Sequence, residues 1–159
     1  ERMDFPSVSY GGIRLPLAIG LLHHVPAKTV DYTKEKDRPD LGMGFAYEAL
    51  GITGTVYIYP VPAGTEAGEE TLRRAFEQLA SEVEAVTKDI SAWPDAEDAS
   101  GFKERAWTMG NDAEKATLLG IGIVHGHFVK YRLTWVRDRV LDQAAGQFMT
   151  MLKRISLNL

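Results

Sequence analysis

The stretch Leu41–Pro62, LGMGFAYEALGITGTVYIYPVP, decides the fold prediction for this chain. It contains two apolar runs, Met43–Tyr47 and Thr55–Tyr59, and the segment between them carries Gly51 and Gly54. Large side chains alternate with their neighbours in both runs, and glycine and proline bound the pair, a pattern that is typical of β-strands. The stretch therefore predicts a hairpin at the middle of a β-sheet. The most buried residues are expected to include Phe45, Val56 and Ile58.

The elements on both sides of this hairpin follow from the same kind of pattern. Strands are predicted at Phe5–Tyr10, Ile13–Leu17, Leu21–Thr33, Phe102–Met109, Lys115–Val124 and Phe128–Val136. A long helix is predicted at residues 67–92, where apolar residues recur at spacings of three and four, and Pro94 ends it. A second helix is predicted at residues 138–155 with Asp138 as its N-cap. Gly146 inside this helix costs ~1 kcal/mol relative to alanine, which predicts close backbone packing there.

The order of these elements predicts a single α+β domain over residues 1–159. Strands in successive hairpins indicate a largely antiparallel sheet of about six or seven strands, with a long central helix and a C-terminal helix. Apolar residues on both sides of the central hairpin predict that the helices cover opposite faces, in an α/β/α sandwich. In Phe128–Val136, however, Lys130, Arg132 and Thr134 share one face, which is typical of a half-exposed or edge strand. That face favours the alternative of a two-layer fold with both helices on one side.

Composition narrows the classes of function. The chain has 159 residues, a net charge of -4 and a pI near 5.6, which argues against a nucleic-acid-binding protein because such proteins carry a concentrated basic surface. No stretch approaches the ~20 apolar residues that a membrane-spanning helix needs. The chain has no cysteine, so disulfides, thiolate metal sites and thiol nucleophiles are excluded.

The four histidines form two pairs, His23-His24 and His125-Gly126-His127. Adjacent residues on a strand point to opposite faces, so His23 and His24 cannot both bind one ion without a bulge. A divalent metal site would require both pairs, or added carboxylates, to converge on the ion. His125 and His127 are therefore the candidate metal ligands, although exposed loop histidines are the simpler interpretation. The alternative function that follows is a metal-dependent or histidine-dependent enzyme that uses both pairs.

Lys130 and Arg132 are a candidate contact for an anion or a partner, because they share the polar face of one predicted strand. Charged residues on an edge strand also protect against aggregation, and that interpretation requires no ligand.

Two further patterns are more typical of packing than of binding. The glycines of Gly120–Gly126 precede a predicted strand at Phe128–Trp135 and not a helix, so the run lacks the context of a phosphate loop. These glycines are expected to allow close packing on the sheet. Aromatic residues at strand positions could line a ligand groove but more often belong to a core. They are Tyr57, Tyr59, Trp107, Tyr131 and Trp135.

Two blocks of the sequence resemble an uncharacterised family of bacterial secreted proteins and lipoproteins. Val30-Asp31-Tyr32 followed by LGMGFAYEALGITGTVYIYPV is similar to the family block DYE…LG.GVGY…G..ATVYIYD. Residues 126–135, GHFVKYRLTW, are similar to a later block, G.FVKVRATYP. Trp135-Val136 and Tyr59-Pro60-Val61 depart from the family pattern at the end of each block.

The resemblance implies a PsbP-like fold, in which an antiparallel sheet lies between helices. It further implies a periplasmic or secreted location and a non-enzymatic binding or assembly role in the bacterial cell envelope. The partner would be an envelope protein or a small ligand. The resemblance supplies no catalytic residue and no cofactor.

Overall fold

The computed structural model describes residues 6–94, 96–97, 100–110 and 114–157. The strands of the described residues are β1 (Ser7–Tyr10), β2 (Ile13–Pro16), β3 (Ala18–Ile19), β4 (Leu22–His24), β5 (Val30–Asp31), β6 (Met43–Ala49), β7 (Ile52–Pro60), β8 (Ile90–Ala92), β9 (Ala96–Glu97), β10 (Lys103–Met109), β11 (Lys115–Val124) and β12 (His127–Val136). The helices are α1 (Tyr32–Glu35), α2 (Glu69–Val86) and α3 (Arg139–Leu157), with short 3-10 turns at Pro26–Lys28 and Pro39–Leu41.

One large antiparallel sheet organises the chain. Its strand order is β3-β4-β6-β7-β12-β11-β10-β8, while β5 pairs with β6 and β9 pairs with β10. The five central strands have seven to ten residues, and the five near the two edges have two or three. These short edge strands are why the described sheet has ten strands where the sequence predicted six or seven. β1 and β2 form a separate hairpin.

The central hairpin is confirmed. β6 and β7 are joined by the two-residue turn Leu50-Gly51, where Gly51 has a φ of 84°. Such a left-handed conformation favours glycine. Gly54 lies inside β7 rather than in the turn. The three residues expected to be deeply buried are so, with exposed fractions of 2% for Phe45 and 0% for Val56 and Ile58.

The helices cover opposite faces of the sheet. One core contains Tyr131 and Leu133 of β12 together with Phe148 of α3, and the β1–β2 hairpin adds Ile13 and Leu15 to it. The core on the other face joins Leu119 and Ile121 of β11 to Phe76 and Val83 of α2. The fold is therefore the predicted α/β/α sandwich, and the two-layer alternative is wrong.

β12 is a central strand, so its interpretation as an edge or half-exposed strand is wrong. It pairs with β7 on one side and with β11 on the other. Its polar residues Lys130 and Arg132 lie beside α2, and both are only partly exposed.

α2 ends at Val86, six residues before the predicted end of the long helix. Asp89 adopts a φ of 52°, which a regular helix cannot contain, and the chain reverses there. Residues 90–92 then form β8, in which Ser91 lies opposite Thr108 of β10. Ile90 and Trp93 continue the helical spacing of the sequence, but pairing with the sheet determines their structure. The correction matters because it brings Trp93 to the α3 side of the sheet.

The segment Leu21–Thr33 is not the single strand that was predicted. The chain passes from β4 through the turn Pro26–Lys28 into β5 and α1. Proline supplies no backbone donor and suits the first position of such a turn. The carboxylate of Asp31 then accepts hydrogen bonds from the backbone N–H of Thr33 at 3.0 Å and of Lys34 at 3.3 Å, and so caps α1.

α3 begins as predicted, because Asp138 Oδ1 accepts a hydrogen bond from the backbone N–H of Leu141 at 2.7 Å. The expected close packing at Gly146 is wrong: a Cβ atom built on this residue would have no neighbour within 4 Å. No helix of the described residues is long and apolar enough to cross a membrane.

Candidate functional site

A cavity of about 340 Å³ lies between α3 and β10, on the face of the sheet that carries the larger core. Its most prominent walls are the indole rings of Trp93 and Trp135, whose centres are 6.4 Å apart and whose planes are nearly perpendicular at 87°. We call it the tryptophan pocket. Its apolar lining includes Trp93, Ala106, Leu118, Trp135, Ala145 and Met149.

The two tryptophans reach the pocket from distant parts of the sequence. Trp93 follows β8, and its backbone N–H donates to the carbonyl of Ala106 on β10 at 2.8 Å. Trp135 belongs to β12 and faces α3 because it alternates with the residues that face α2. β12, β11, β10 and β8 are successive strands of the sheet, and the two rings lie on the same side of it.

Asp142 of α3 fixes one end of the pocket. Its Oδ1 accepts a hydrogen bond from the indole N–H of Trp135 at 2.7 Å and another from Nε of Arg137 at 3.1 Å. The guanidinium of Arg137 also lies over the ring of Trp93, 4.9 Å from its centre. The polar edge of Trp135 is thus satisfied within the protein, and the face that lines the cavity is apolar.

A buried ion pair stands at another part of the pocket wall. Glu104 accepts hydrogen bonds from the hydroxyl of Tyr131 and from Nζ of Lys153, both at 2.7 Å. The side chains of Glu104 and Lys153 are exposed by only 10% and 13%. Buried charges are tolerated when they are paired and hydrogen-bonded, as these are. The charged groups named at the pocket therefore have partners of opposite charge, and what the cavity offers a ligand is apolar surface.

The structure does not bring the two histidine pairs together. Through the register of β4, β6, β7 and β12, His24 is aligned with Leu133. His127 lies six residues further along β12, which corresponds to roughly 20 Å. The premise of a site that uses both pairs, on which the alternative enzyme function depends, is therefore wrong.

His125 and His127 lie at the turn between β11 and β12. His125 has a φ of 51°, and Nδ1 of His127 is 2.8 Å from the carbonyl oxygen of His125. The ring of His127 packs edge-on against Tyr10 at 5.7 Å. The described residues contain no group of three or more histidine or carboxylate side chains that could hold a metal ion. A divalent metal bound by His125 and His127 stays a prediction.

His24 is half-buried beside the rings of Phe45 and Tyr47, and its Nε2 is 2.8 Å from Oγ1 of Thr29. Burial disfavours the charged imidazolium and lowers the pKa of His24 below its ordinary value of 6.5.

We expect His24 to make the folded protein less stable in mild acid. The unfolded chain binds a proton at His24 at higher pH than the folded chain does, so the free energy of unfolding falls as pH decreases below about 6.5. Urea denaturation of the wild type and of His24→Gln between about pH 5 and 7.5 measures this contribution. The variant should show a shallower pH dependence, and parallel curves for the two proteins would contradict the prediction.

Lys130 and Arg132 line a groove of about 180 Å³ between α2 and the sheet. Nζ of Lys130 lies 4.2 Å from the ring centre of Tyr57, and Nη2 of Arg132 donates to Oγ1 of Thr117 at 3.0 Å. Burial, assisted by the charge of Arg132, lowers the pKa of Lys130. The structure thus places these two residues together and beside a groove, while their contact with an anion or partner stays a prediction.

Gly120 and Gly122 have the packing role that the sequence indicated, but Gly126 does not: it has a φ of 71° in the turn, and a Cβ atom there would meet nothing within 4 Å. A Cβ atom on Gly120 would overlap the ring of Tyr131, and one on Gly122 would lie 2.7 Å from the ring of Phe102. Each ring packs on the sheet at a glycine, where there is no side chain in its way.

Sequence patterns missed most of the tryptophan pocket. The sequence indicates Trp135 as a possible groove residue, but Trp93 continues the apolar spacing of the long helix, and no pattern singles out Glu104, Arg137 or Asp142. The one sequence feature that suggests a position outside the helix for Trp93 is Pro94, which directly follows it and disfavours helical geometry there.

Comparison with known proteins gives one structural likeness. No protein-family model matches the chain, and no curated protein matches its sequence. The structure is similar to the solution structure of cyanobacterial PsbP (CyanoP) from Synechocystis sp. PCC 6803, with 15% identity, 91% of this chain and 94% of that chain covered, and a TM-score of 0.45. At this identity and score we draw no conclusion about function from the likeness.

Proposed function

We propose that this protein is a non-enzymatic binding module of the bacterial cell envelope, and that its tryptophan pocket takes a small, uncharged and largely apolar molecule. The pocket between Trp93 and Trp135 is the observation that carries the binding role. The periplasmic or secreted location rests on the sequence resemblance.

The size and lining of the pocket support a small-molecule ligand. A volume of about 340 Å³ lies at the lower end of the range for ligand sites, roughly 300–1,000 Å³, which suits a molecule of one or two rings or a short aliphatic chain. Indole rings supply large, rigid apolar surface. Two of them, set nearly at right angles, form a corner into which a flat or branched apolar group fits.

The electrostatics of the pocket support an uncharged ligand. Glu104 is paired with Lys153, and Asp142 is paired with Arg137. A charged ligand would lose its hydration on entering and would have to compete with one of these pairs. The same pairs tie both carboxylates in place, so we assign Glu104 and Asp142 to holding the shape of the pocket rather than to acid–base chemistry.

Binding of N-phenyl-1-naphthylamine, an uncharged fluorescent probe, tests this proposal. The wild type should enhance the fluorescence of the probe, and Trp93→Leu should bind it roughly tenfold more weakly because one aromatic wall is truncated. Tyr59→Leu is the matched control, since Tyr59 is also a half-buried aromatic residue but packs on the α2 side of the sheet. Equal affinity of the wild type and Trp93→Leu, or no binding by the wild type, would contradict the proposal.

A further inference from the structure

We infer that the groove beside Lys130 and Arg132 is a second binding site, which takes a small oxyanion, a phosphate or carboxylate group. It lies on the α2 side of the sheet, opposite the tryptophan pocket, and its function is separate from that of the pocket.

The backbone directs both cations into the groove. Lys130 and Arg132 are two residues apart on β12, so their side chains leave the same face of the sheet. β12 is flanked by β7 and β11, and α2 lies over β11. The two side chains therefore cannot spread into open solvent as they would on an edge strand. They remain beside the groove, whose other walls are Leu79, Glu82, Val83, Val86 and Leu119.

Several other partly buried cations of the protein are paired with carboxylates. Four such pairs are Lys103–Glu69 at 2.6 Å, Arg105–Glu77 at 3.5 Å, Arg137–Asp142 at 3.1 Å and Lys153–Glu104 at 2.7 Å. Within the part of the chain that the structure describes, neither Lys130 nor Arg132 has a carboxylate oxygen within 4.0 Å. Among the described residues of the large sheet, Lys130 and Arg132 differ in this respect from the partly buried cations Lys103 and Arg105.

The contacts of Lys130 and Arg132 do not satisfy all of their hydrogen-bond donors. The ammonium group of Lys130 lies over the π face of Tyr57, a contact that does not neutralise its charge. Arg132 has the neutral hydroxyl of Thr117, and its Nε is buried without a hydrogen-bond partner. A buried donor without an acceptor is unfavourable, and charged donors are more costly to leave unsatisfied than neutral ones. An oxyanion in the groove would supply acceptors to the ammonium group and the guanidinium group together.

Glu82 is the carboxylate that faces the groove from α2, and it does not cancel the positive charge. It is close enough to act on the titration of Lys130, but among the described residues it forms no ion pair within 4.0 Å with Lys130 or Arg132. Two cations against one carboxylate leave the groove with a net positive charge. The apolar side chains of Leu79 and Val83 keep water from parts of the walls, which strengthens the attraction for an anion.

The volume of the groove limits what it can hold. About 180 Å³ accommodates an oxyanion group with a few more atoms, so a larger molecule would place only its anionic group here. Arginine and lysine side by side are a common arrangement for phosphate and carboxylate recognition.

Calorimetric titration with inorganic phosphate and, separately, with acetate tests the inference at low ionic strength and distinguishes the two oxyanions. At least one of them should bind the wild type, and Lys130→Met and Arg132→Gln should each weaken that binding about tenfold, the effect of losing one charge-assisted contact. Lys115→Met is the matched control, because Lys115 is an exposed lysine on the adjacent strand β11.

Binding of N-phenyl-1-naphthylamine to the same variants shows whether they are folded, because the tryptophan pocket lies on the other face. Where the probe does not bind the wild type, far-ultraviolet circular dichroism serves instead. If Arg132→Gln does not fold, Lys130→Met alone decides the result. The inference is wrong if neither anion binds the wild type, or if Lys115→Met weakens binding as much as Lys130→Met does.

Discussion

Replacing Gly120 by alanine is expected to lower the free energy of unfolding by about 3 kcal/mol. The new Cβ atom would overlap the ring of Tyr131, which lies on the neighbouring strand directly opposite Gly120. That ring is completely buried, and its hydroxyl donates to Glu104 at 2.7 Å. The ring can move only if this hydrogen bond and the surrounding core are disturbed, so the overlap is not relieved cheaply.

Gly146→Ala is the matched control, since it makes the same chemical change with the opposite expected sign. Gly146 lies within α3, and a Cβ atom there meets nothing within 4 Å. Alanine should therefore raise the free energy of unfolding by ~1 kcal/mol through helix propensity alone. Urea denaturation followed by circular dichroism measures both variants. A neutral effect of Gly120→Ala would show that Tyr131 is not held in place as described.

The parts of the fold that could be predicted are those in which the sequence pattern and the tertiary environment agree. β6 and β7 have one deeply buried face, and β11 and β12 belong to the same sheet. Alternation of apolar residues predicted all four strands to within a few residues. The predicted helix is wrong over residues 87–92 because Ile90 and Trp93 continue the helical period by coincidence. Pairing with β10 determines their structure, and that contact is remote in sequence.

The polar face of β12 shows the limit of alternation as evidence. Lys130, Arg132 and Thr134 alternate with apolar residues, and that pattern is the same for a strand beside solvent and for one partly covered by a helix. The sequence thus identified the two cations as a pair, but it could not show that they stand beside a groove at the centre of the sheet.

The tryptophan pocket could not be predicted for a related reason. Trp93 and Trp135 are 42 positions apart, and Asp142 meets both Trp135 and Arg137 only because α3 crosses this face of the sheet. No local pattern encodes such a convergence. Resemblance to a family of known fold narrows the topology, but the side chains that line a cavity must be read from the structure.

Glu104→Gln is expected to lower the free energy of unfolding by about 3 kcal/mol, an effect comparable to that at Gly120. Glutamine keeps the size of the side chain and can still accept hydrogen bonds, but it removes the negative charge beside Lys153. The side chain of Lys153 is exposed by only 13%, so its ammonium group would lose the ion pair with Glu104 without regaining full hydration. The cost therefore arises from the charge that remains.

Two further variants separate this cause from a general loss of packing. Adding Lys153→Met to Glu104→Gln removes the remaining charge and should restore about 2 kcal/mol, because a neutral side chain of similar length suits the buried position. Glu48→Gln removes a carboxylate that lies 2.9 Å from Nζ of Lys28, but the side chain of Lys28 is 64% exposed and stays hydrated, so the change should cost less than about 1 kcal/mol. Urea denaturation of these variants, and of Lys153→Met alone, completes a double-mutant cycle. Equal costs for Glu104→Gln and Glu48→Gln, or no restoration by Lys153→Met, would show that burial of the pair does not govern its contribution.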